Sequence, residues 1–515
     1  MPRKRANKGM AKGKRGDSPA RIFERRDYDH LTANGNERLR RAVERGKFLR
    51  DHLLEPTLEL KRAMFEVLLL FIKERRRVVY GGFAINAWIA SRDPSAAFYD
   101  ESEVPDIEFY SSDAVLDARD LADIYHNEMQ LPWVRVTEAF HPDTFRVSAN
   151  LVHVCDITYV ARNVRIPSLT HRIRVPNATV DGIRLAIPRF LLIDCLRIIS
   201  DPVESYWRLE KAFPRMYDLQ RLFHFEVSPL EAPKPDPQAE DIVRVALETL
   251  EKHPSVAVVV GRAALRRYAA ATGFPEVEAA AGLLPLEIIA TDFEASLGAI
   301  FQSIRDLVGD SQHDRHAEYI EARGVMDYCG RRGHVVWKGR PVIRVFDSND
   351  RCVPVIEKEG SLRTGSFALT ACFMLIGYFI DGVTNLPFPQ PYSAMLYTLF
   401  KLRKRYMASN KESLDGIHAL REFSDICVGK HVSVERRHKL EVDIRRSNKG
   451  AYPIPFFVYD PATRTRDPVP HYRYMNRSGN VVVSEQDQLF RLSKGAVEDK
   501  GAATTISNKD PGGSA

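Results

Sequence analysis

Two adjacent glycines, Gly81 and Gly82, constrain this chain more than any other feature. They follow Val78-Val79-Tyr80 and precede FAINAWIASR. The β-branched run predicts a short strand, and the apolar stretch after the pair predicts a helix. Glycine adopts backbone conformations closed to other residues and lets a neighbouring group approach closely. The free N–H groups of a helix start suit an anion such as a phosphate. A glycine pair alone equally describes a simple tight turn.

Acidic residues downstream narrow the choice. PDIEFYS reads as the next strand and carries Asp106 and Glu108 two residues apart. Alternation sends both carboxylates to one face while Ile107 and Phe109 point to the core. A helix is predicted from Ala114 to Glu128 and a strand around Val134. LVHVCDITYV, a further strand, holds Asp156 inside an apolar run. An acid there is costly unless it lies at the sheet surface or meets a cation. Three carboxylates on neighbouring strands can hold Mg²⁺ or Mn²⁺, whose preference is for oxygen ligands. Such ions polarise an attacking hydroxyl and stabilise a leaving pyrophosphate. No GxxxxGKS/T or GxGxxG phosphate loop competes with this arrangement.

Further along, IPRFLLIDCLRIISDP predicts a helix closed by Pro202. SDPVESYWRLEKAFPRMYDL is a helical stretch with Arg208, Lys211 and Arg215 at spacings of three and four. These cations could hold the β- and γ-phosphates, Lys211 first, or form an ordinary charged helix surface. Ser111 and Ser112 could bond a phosphate or ribose, although capping of the helix near Ala114 accounts for them slightly better.

After PLEAPKPDPQAED (229–241), which reads as a linker, the chain repeats itself. VVVGRAALRRYAAATG (258–273) follows VVYGGFAINAWIASR in order and type, and LEIIATDFEASLGAIFQSI (286–304) follows 107–125 at an offset of 179. VIRVFDSNDRCVPV (342–355) stands for VCDITYVARNVRIP, and two later apolar stretches stand for the helices around 190 and 210. On this alignment Gly82 becomes Arg262, Asp106 becomes Pro285 and Asp156 becomes Arg344, while Glu108 stays acidic as Glu287. A period this long points to a duplicated domain that keeps the fold and loses the metal site. Alternating strands and helices make the class α/β or α+β.

The length, 515 residues, suggests roughly three domains at ~150 residues each. Residues 1–20 and 496–515 read as disordered tails. Seven Lys/Arg and no acid lie in residues 1–16, and 17 Lys/Arg against 9 Asp/Glu lie in 401–480. That charge suits a polyanionic partner, or else a solubilising tail and a solvated face. Within the basic region Arg445, Arg446, Tyr452, Tyr472, Arg473 and Tyr474 could pair phosphates and stack bases of single-stranded RNA, or form a plain edge strand. Six scattered cysteines predict a reducing compartment, with no disulfide scaffold and no structural zinc. His313 and His316 read as surface residues. The most apolar run, Phe367 to Ile380, is shorter than the ~20 residues that cross a bilayer, so no membrane is expected.

The order of strand, Gly-Gly, helix, Asp-x-Glu strand and later Asp-bearing strand resembles the DNA polymerase β-like nucleotidyltransferase superfamily. With VCDITYV and the WRLEK helix included, the chain resembles the poly(A) polymerase catalytic subunits of large nucleocytoplasmic DNA viruses, nearer the giant-virus branch than the poxvirus one. The resemblance is firm over about 60–225 and looser over 240–430. It implies a mixed α+β fold of two nucleotidyltransferase-like domains, the first active (78–228) and the second degenerate (242–430). A helical segment (21–77) precedes them and a basic, aromatic region (431–495) follows. It also implies Asp106, Glu108 and Asp156 as catalytic metal ligands, Gly81-Gly82 as the triphosphate turn, and Mg²⁺ or Mn²⁺ as cofactor. The implied reaction is transfer of AMP from ATP to an RNA 3′-OH, in a viral factory of the host cytoplasm or in the virion. A homodimer and a viral processivity or capping partner stay open. So do two other readings of the residues: a different enzyme of the superfamily, such as a uridylyltransferase or cyclic-dinucleotide synthase, and a catalytically silent RNA-binding partner.

Overall fold

The computed structural model describes residues 35–160, 175–308 and 315–410, apart from short segments at 55, 100–102, 142–143, 202–204, 225–229, 232–233, 235, 322–330, 349–350 and 385–389, and adds short stretches between 424 and 483. Both expected tails, Arg445, Arg446, Tyr452, Tyr472 and His313 lie outside the described residues.

The chain divides into two units, Met1–Ala63 and Met64–Ala515. The first contains α1 (Gly35–Leu53) and the opening of α2 (Leu58–Glu74). Glu37 pairs with Arg40 and Arg41 along α1 at 3.1 and 3.0 Å. The sequence pattern predicts one helical run over 37–73, but the structure interrupts it between Leu53 and Leu58. Pro56 lacks an N–H, and its ring clashes with the preceding turn.

The second unit holds two large sheets. The first comprises β1 (Val78–Tyr80), β2 (Ile107–Ser111), β3 (Arg135–Glu138), β4 (Thr144–Ala149), β5 (Val152–Tyr159), β6 (Asn177–Val180), β7 (Ile183–Ala186) and the distant β16 (Val458–Tyr459). Their order is β16-β3-β4-β5-β2-β1-β7-β6. Between these strands run α3 (Gly81–Arg92) and α4 (Ala114–Asn127), and after them α5 (Pro188–Ser200) and α6 (Leu209–Leu222). Ile107, Phe109, Val147, Cys155 and Ile157 are buried on the face that α4 covers with Ala118, Leu121, Ala122 and Tyr125. Alternation leaves Glu108, Arg146 and Asp156 on the opposite face.

The second sheet comprises β8 (Ala257–Val260), β9 (Leu286–Ala290), β10 (Arg315–Glu321), β11 (Arg331–Trp337), β12 (Arg340–Asp347) and β14 (Leu362–Thr364), in the order β10-β11-β12-β9-β8-β14. It repeats β3-β4-β5-β2-β1-β7 strand for strand. β1 and β8 each pair in parallel with the edge-side neighbour, β7 or β14, and antiparallel with β2 or β9. β2 and β9 in turn pair in parallel with β5 and β12. Register carries the likeness to single residues: Tyr80, Glu108 and Asp156 stand in one row, and Val260, Glu287 and Arg344 in the other. The helices repeat as well: α7 (Pro237–Lys252) precedes this sheet, and α8 (Gly261–Thr272), α9 (Pro275–Ala281), α10 (Phe293–Val308), α11 (Phe367–Thr384) and α12 (Tyr392–Asn410) accompany it. α5 packs on its counterpart α11, with the Phe190 and Phe379 rings 5.5 Å apart.

Three expectations change. The segment read as a linker to residue 241 already contains the start of α7, because Asp236 caps the helix by accepting from Ala239 N at 3.2 Å and Pro237 occupies its first turn. Asp106 precedes β2 rather than lying in it. Cys352 and Cys427 form a disulfide, since the pairing of β13 (Val353–Pro354) with β15 (Cys427–Val428) brings two residues 75 apart in sequence to a Cα separation of 5.7 Å. Cys155, Cys195 and Cys372 are buried thiols. Arg473 and Tyr474 fall in β17 (Arg473–Met475), which pairs with β18 (Val481–Val483). Among the described residues no helix is long and apolar enough to cross a membrane.

Candidate active site

The site starts at the turn from β1 into α3. Gly81 has φ +70°, a left-handed conformation that costs other residues free energy. A Cβ on Gly81 would fall 1.5 Å from Glu108 Oε2, so the carboxylate rests against the bare α-carbon. The Gly82 N–H donates to the same carboxylate. A Cβ on Gly82 would lie 2.6 Å from the Tyr99 hydroxyl and 3.3 Å from Arg215 Nη1, so a side chain here would make those two flexible ends shift. Gly81 is the more tightly constrained of the two, by its left-handed backbone as well as by the carboxylate against it.

Glu108 faces Asp156 across parallel strands. Burial, then the charges of Asp194 and Asp156, push the Glu108 carboxyl up to about 7, against the opposing pull of Arg208 and the Gly82 N–H. Glu108 is thus short of positive charge. The donors of the cluster are all oxygens, which fits a hard divalent cation. Asp106 stands at the edge of the cluster with 71% of its side chain exposed, 3.7 Å from His153 Nδ1. As the side chains stand, no group of three His, Cys, Asp or Glu among the described residues is gathered in metal-binding geometry. Glu108 and Asp156 are brought together; Asp106 is near but turned to solvent.

Asp156 has its own cations. Arg146 on β4 donates through Nε and Nη2 to its two oxygens at 3.1 and 3.2 Å, and His153 Nε2 lies 3.0 Å from Oδ1. Burial raises the Asp156 carboxyl, but these two partners outweigh it and hold it below the usual carboxylate range. Burial likewise lowers the His153 imidazole, and Asp156 reverses that to a net rise. His153 reaches this face through a β-bulge: Val147 pairs with Cys155 and the next residue, Ser148, pairs with His153, so one residue of β5 is skipped.

Of the phosphate candidates, Arg208 acts on Glu108 by charge, and Arg215 lies over the Phe98 ring at 4.1 Å beside Gly82. Lys211 is exposed near the start of α6. Ser111 does not belong with them. It is 2% exposed on the face of β2 opposite Glu108, where its hydroxyl donates to Asp117 at 2.5 Å and accepts from Asp113 N at 2.9 Å. It ties the end of β2 to the first turn of α4 without capping the helix by a side chain. Sequence reasoning missed Arg146, His153 and Asp194. Only Asp194, an acid inside the apolar FLLIDCLRII, left a local signal.

The equivalent place in the second sheet is sealed. Gly261 repeats the left-handed turn (φ +61°), with Glu287 Oε2 1.9 Å from where its Cβ would be. Arg344, in the Asp156 position, pairs with Glu287 at 3.4 Å with both side chains buried, and the Tyr392 hydroxyl donates to Glu287. Arg262, in the Gly82 position, donates to Ala281 O at 2.8 Å and to Gln390 at 3.2 Å.

Residues 66–205 match the family model of the poly(A) polymerase catalytic subunit, and residues 274–492 match a model of the C-terminal part of the APMV poly(A) polymerase catalytic subunit, a provisional assignment. A protein of Acanthamoeba polyphaga mimivirus, provisionally named poly(A) polymerase catalytic subunit, is 27% identical over 489 residues, which cover 87% of this chain and 82% of the relative. A protein of the same provisional name from African swine fever virus (isolate Tick/South Africa/Pretoriuskop Pr4/1996) is 30% identical over 176 residues, 33% of this chain and 35% of the relative. The crystal structure of the Megavirus polyadenylate synthase superposes with a TM-score of 0.75 at 24% identity, covering 92% of this chain and 95% of that one, a likeness of fold. The two family models between them span the greater part of the sequence, and the chain is similar along most of its length to the poly(A) polymerase catalytic subunits of the giant-virus type.

Proposed function

We propose that this chain is a polynucleotide adenylyltransferase that adds AMP from ATP to the 3′-OH of RNA without a template, at the site built on Glu108 and Asp156. The observation that supports this most is a contrast within one molecule. Two sheets of one topology each keep a glycine turn against a glutamate, yet one sets Asp156 beside that glutamate with Asp106 exposed at the edge, and the other sets the buried Arg344 there.

In this reading Asp106, Glu108 and Asp156 hold Mg²⁺ or Mn²⁺. Bound ions supply the Lewis acidity that activates the attacking hydroxyl and neutralises the leaving pyrophosphate. The remaining work falls to the chain itself. The Gly81 α-carbon and the Gly82 N–H fix Glu108 from behind. The start of α3 receives the triphosphate, with Arg215 beside it, Arg208 near Glu108 and Lys211 between them in sequence. Asp156 orients the RNA 3′-OH, and its aim is set by Arg146 and His153. Residues 78–228 form the catalytic domain, 242–430 a non-catalytic copy, and 431–495 a basic region that supports RNA.

The test is extension of a labelled RNA by the full chain with Mg²⁺ and each NTP in turn. A ladder with ATP, reduced at least ~100-fold by Asp106→Ala, is the expected result. Extension with another nucleotide alone would move the chain to a different nucleotidyltransferase activity. No extension with either Mg²⁺ or Mn²⁺ would end the enzymatic reading.

A further inference from the structure

The face of the first sheet that carries Asp156 continues past it. Asp156 stands opposite Arg146 on β4, and Arg146 opposite Thr137 on β3. One row over, His153 stands opposite Ser148, and Ser148 opposite Arg135. Directly opposed residues share a face, so Arg146, Arg135 and Thr137 lie on the same surface as Asp156. The buried partners Val136 and Val147 point the other way, toward α4. Arg146 and Arg135 are exposed. At a strand spacing of ~4.8 Å, β3 lies only ~10 Å from β5.

This surface ends in an unusual pair of turns. Trp133, two residues before Arg135, is 67% exposed and has φ +50°. Asn150 and Leu151, between β4 and β5, have φ +48° and +64°, and Leu151 is 77% exposed. Asn150 N donates to Pro132 O at 2.9 Å and ties the two turns together. Bulky side chains rarely occupy left-handed backbone, and such strain persists where the surroundings enforce it. Here it holds a tryptophan in water instead of in the core.

We infer that Arg146, Arg135 and Trp133 form a track that leads the 3′ end of single-stranded RNA to Asp156, with guanidinium groups on its phosphates and the Trp133 ring stacked on a base. The inference rests on the functional reading above, because it is Asp156 that receives the 3′-OH. Single-stranded nucleic acid is held without sequence preference by this combination of a cationic groove and an aromatic platform. Arg146 then serves twice: it orients Asp156, and it offers the first positive charge beyond it. A wholly apolar partner fits less well, because the exposed Arg135 and Arg146 share the face that leads to Asp156.

The test measures binding of a short 5′-fluorescein-labelled single-stranded RNA to the full chain by anisotropy, without ATP, across a salt series. Trp133→Ala and Arg135→Glu are compared with Arg244→Glu, which makes the same charge change as Arg135→Glu on the exposed side of α7, where Arg244 pairs with Asp241 and Glu248. Trp133→Ala and Arg135→Glu should each weaken binding about tenfold. Arg135→Glu should also reduce the slope of log K against log salt by about 0.7. Arg244→Glu should do neither, and thermal melts should confirm that all three fold. In extension assays the RNA KM should rise while the ATP KM holds. Unchanged RNA binding in both track variants, equal weakening by Arg244→Glu, or a wild type that binds no RNA would overturn the track. A wild type that binds RNA through Trp133 and Arg135 but extends nothing would keep the track and sink the catalytic reading. One that extends RNA with its primer affinity untouched by the variants would do the reverse.

Discussion

At the scale of single residues, the sharpest demand is on Gly81. Alanine there meets both a left-handed backbone and the carboxylate of Glu108. The backbone alone costs roughly 1–2 kcal/mol, and the added Cβ must also displace the Glu108 carboxylate from its place beside Asp156. Gly81→Ala should therefore lower stability by about that amount and reduce RNA extension by at least ~100-fold. Gly261→Ala, at the matching turn of the second sheet, should cost comparable stability while the molecules that remain folded extend RNA at the normal rate. A melt and a rate for each variant decide the point; equal loss of rate in both would refute the division of roles between the sheets. These glycines were legible in the sequence because strand, turn and helix are contiguous. Asp156 was legible because an acid within an apolar strand is conspicuous. Arg146 and His153 were not, since one arrives by cross-strand pairing and the other by a skipped residue in β5. Ser111 was legible as the end of the PDIEFYS strand, and the same alternation that sets Glu108 on the opposite face sends it to the core face, away from any phosphate.

Among elements, β9 and β12 carry the most informative pair. Glu287 and Arg344 are buried at 0% and 3% side-chain exposure. Removing one partner strands the other, which typically costs about 3–5 kcal/mol, whereas replacing both with apolar residues is often neutral. Glu287→Gln should thus destabilise the chain by about 3 kcal/mol or more, and Glu287→Leu combined with Arg344→Met should recover most of it. Urea unfolding measures the recovery. The double variant should extend RNA like the parent, and a folded but inactive double variant would show that this pair takes part in the reaction. Strand and helix order around Gly81, Glu108 and Asp156 followed from local pattern, and the core of the second half from its likeness to the first. The elements that did not include β6 and β7, β10 and β11, β14 and α9, the break at Pro56, the β4 hairpin strand beside β5, the start of α7 inside a proline-rich segment, and the β13–β15 pairing that joins Cys352 to Cys427.

Across the whole molecule, stability carries a pH signature from the second sheet. Burial, then the charges of Arg344 and Arg332, hold the His334 imidazole well below its ordinary value. The folded chain keeps this ring neutral, while the unfolded chain takes up a proton below about pH 6.5. The contribution of His334 is therefore complete above that pH and is lost as pH falls through it, at up to ~1.4 kcal/mol per pH unit. Urea midpoints at pH 7.5 and 5.5 should differ in that sense, and His334→Gln should shrink the difference; an unchanged difference would assign it elsewhere. On the proposed metal-binding reading, the two sheets should respond differently to chelators. Where the first would need a diffusible cation among its acids, the second has the Arg344 guanidinium covalently fixed to its own backbone. Its counter-ion cannot be stripped, diluted or exchanged for another metal. A chelator that disarms one half should leave the other as rigid as before, so amide exchange in β9 and β12 should be indifferent to EDTA while β2 and β5 respond.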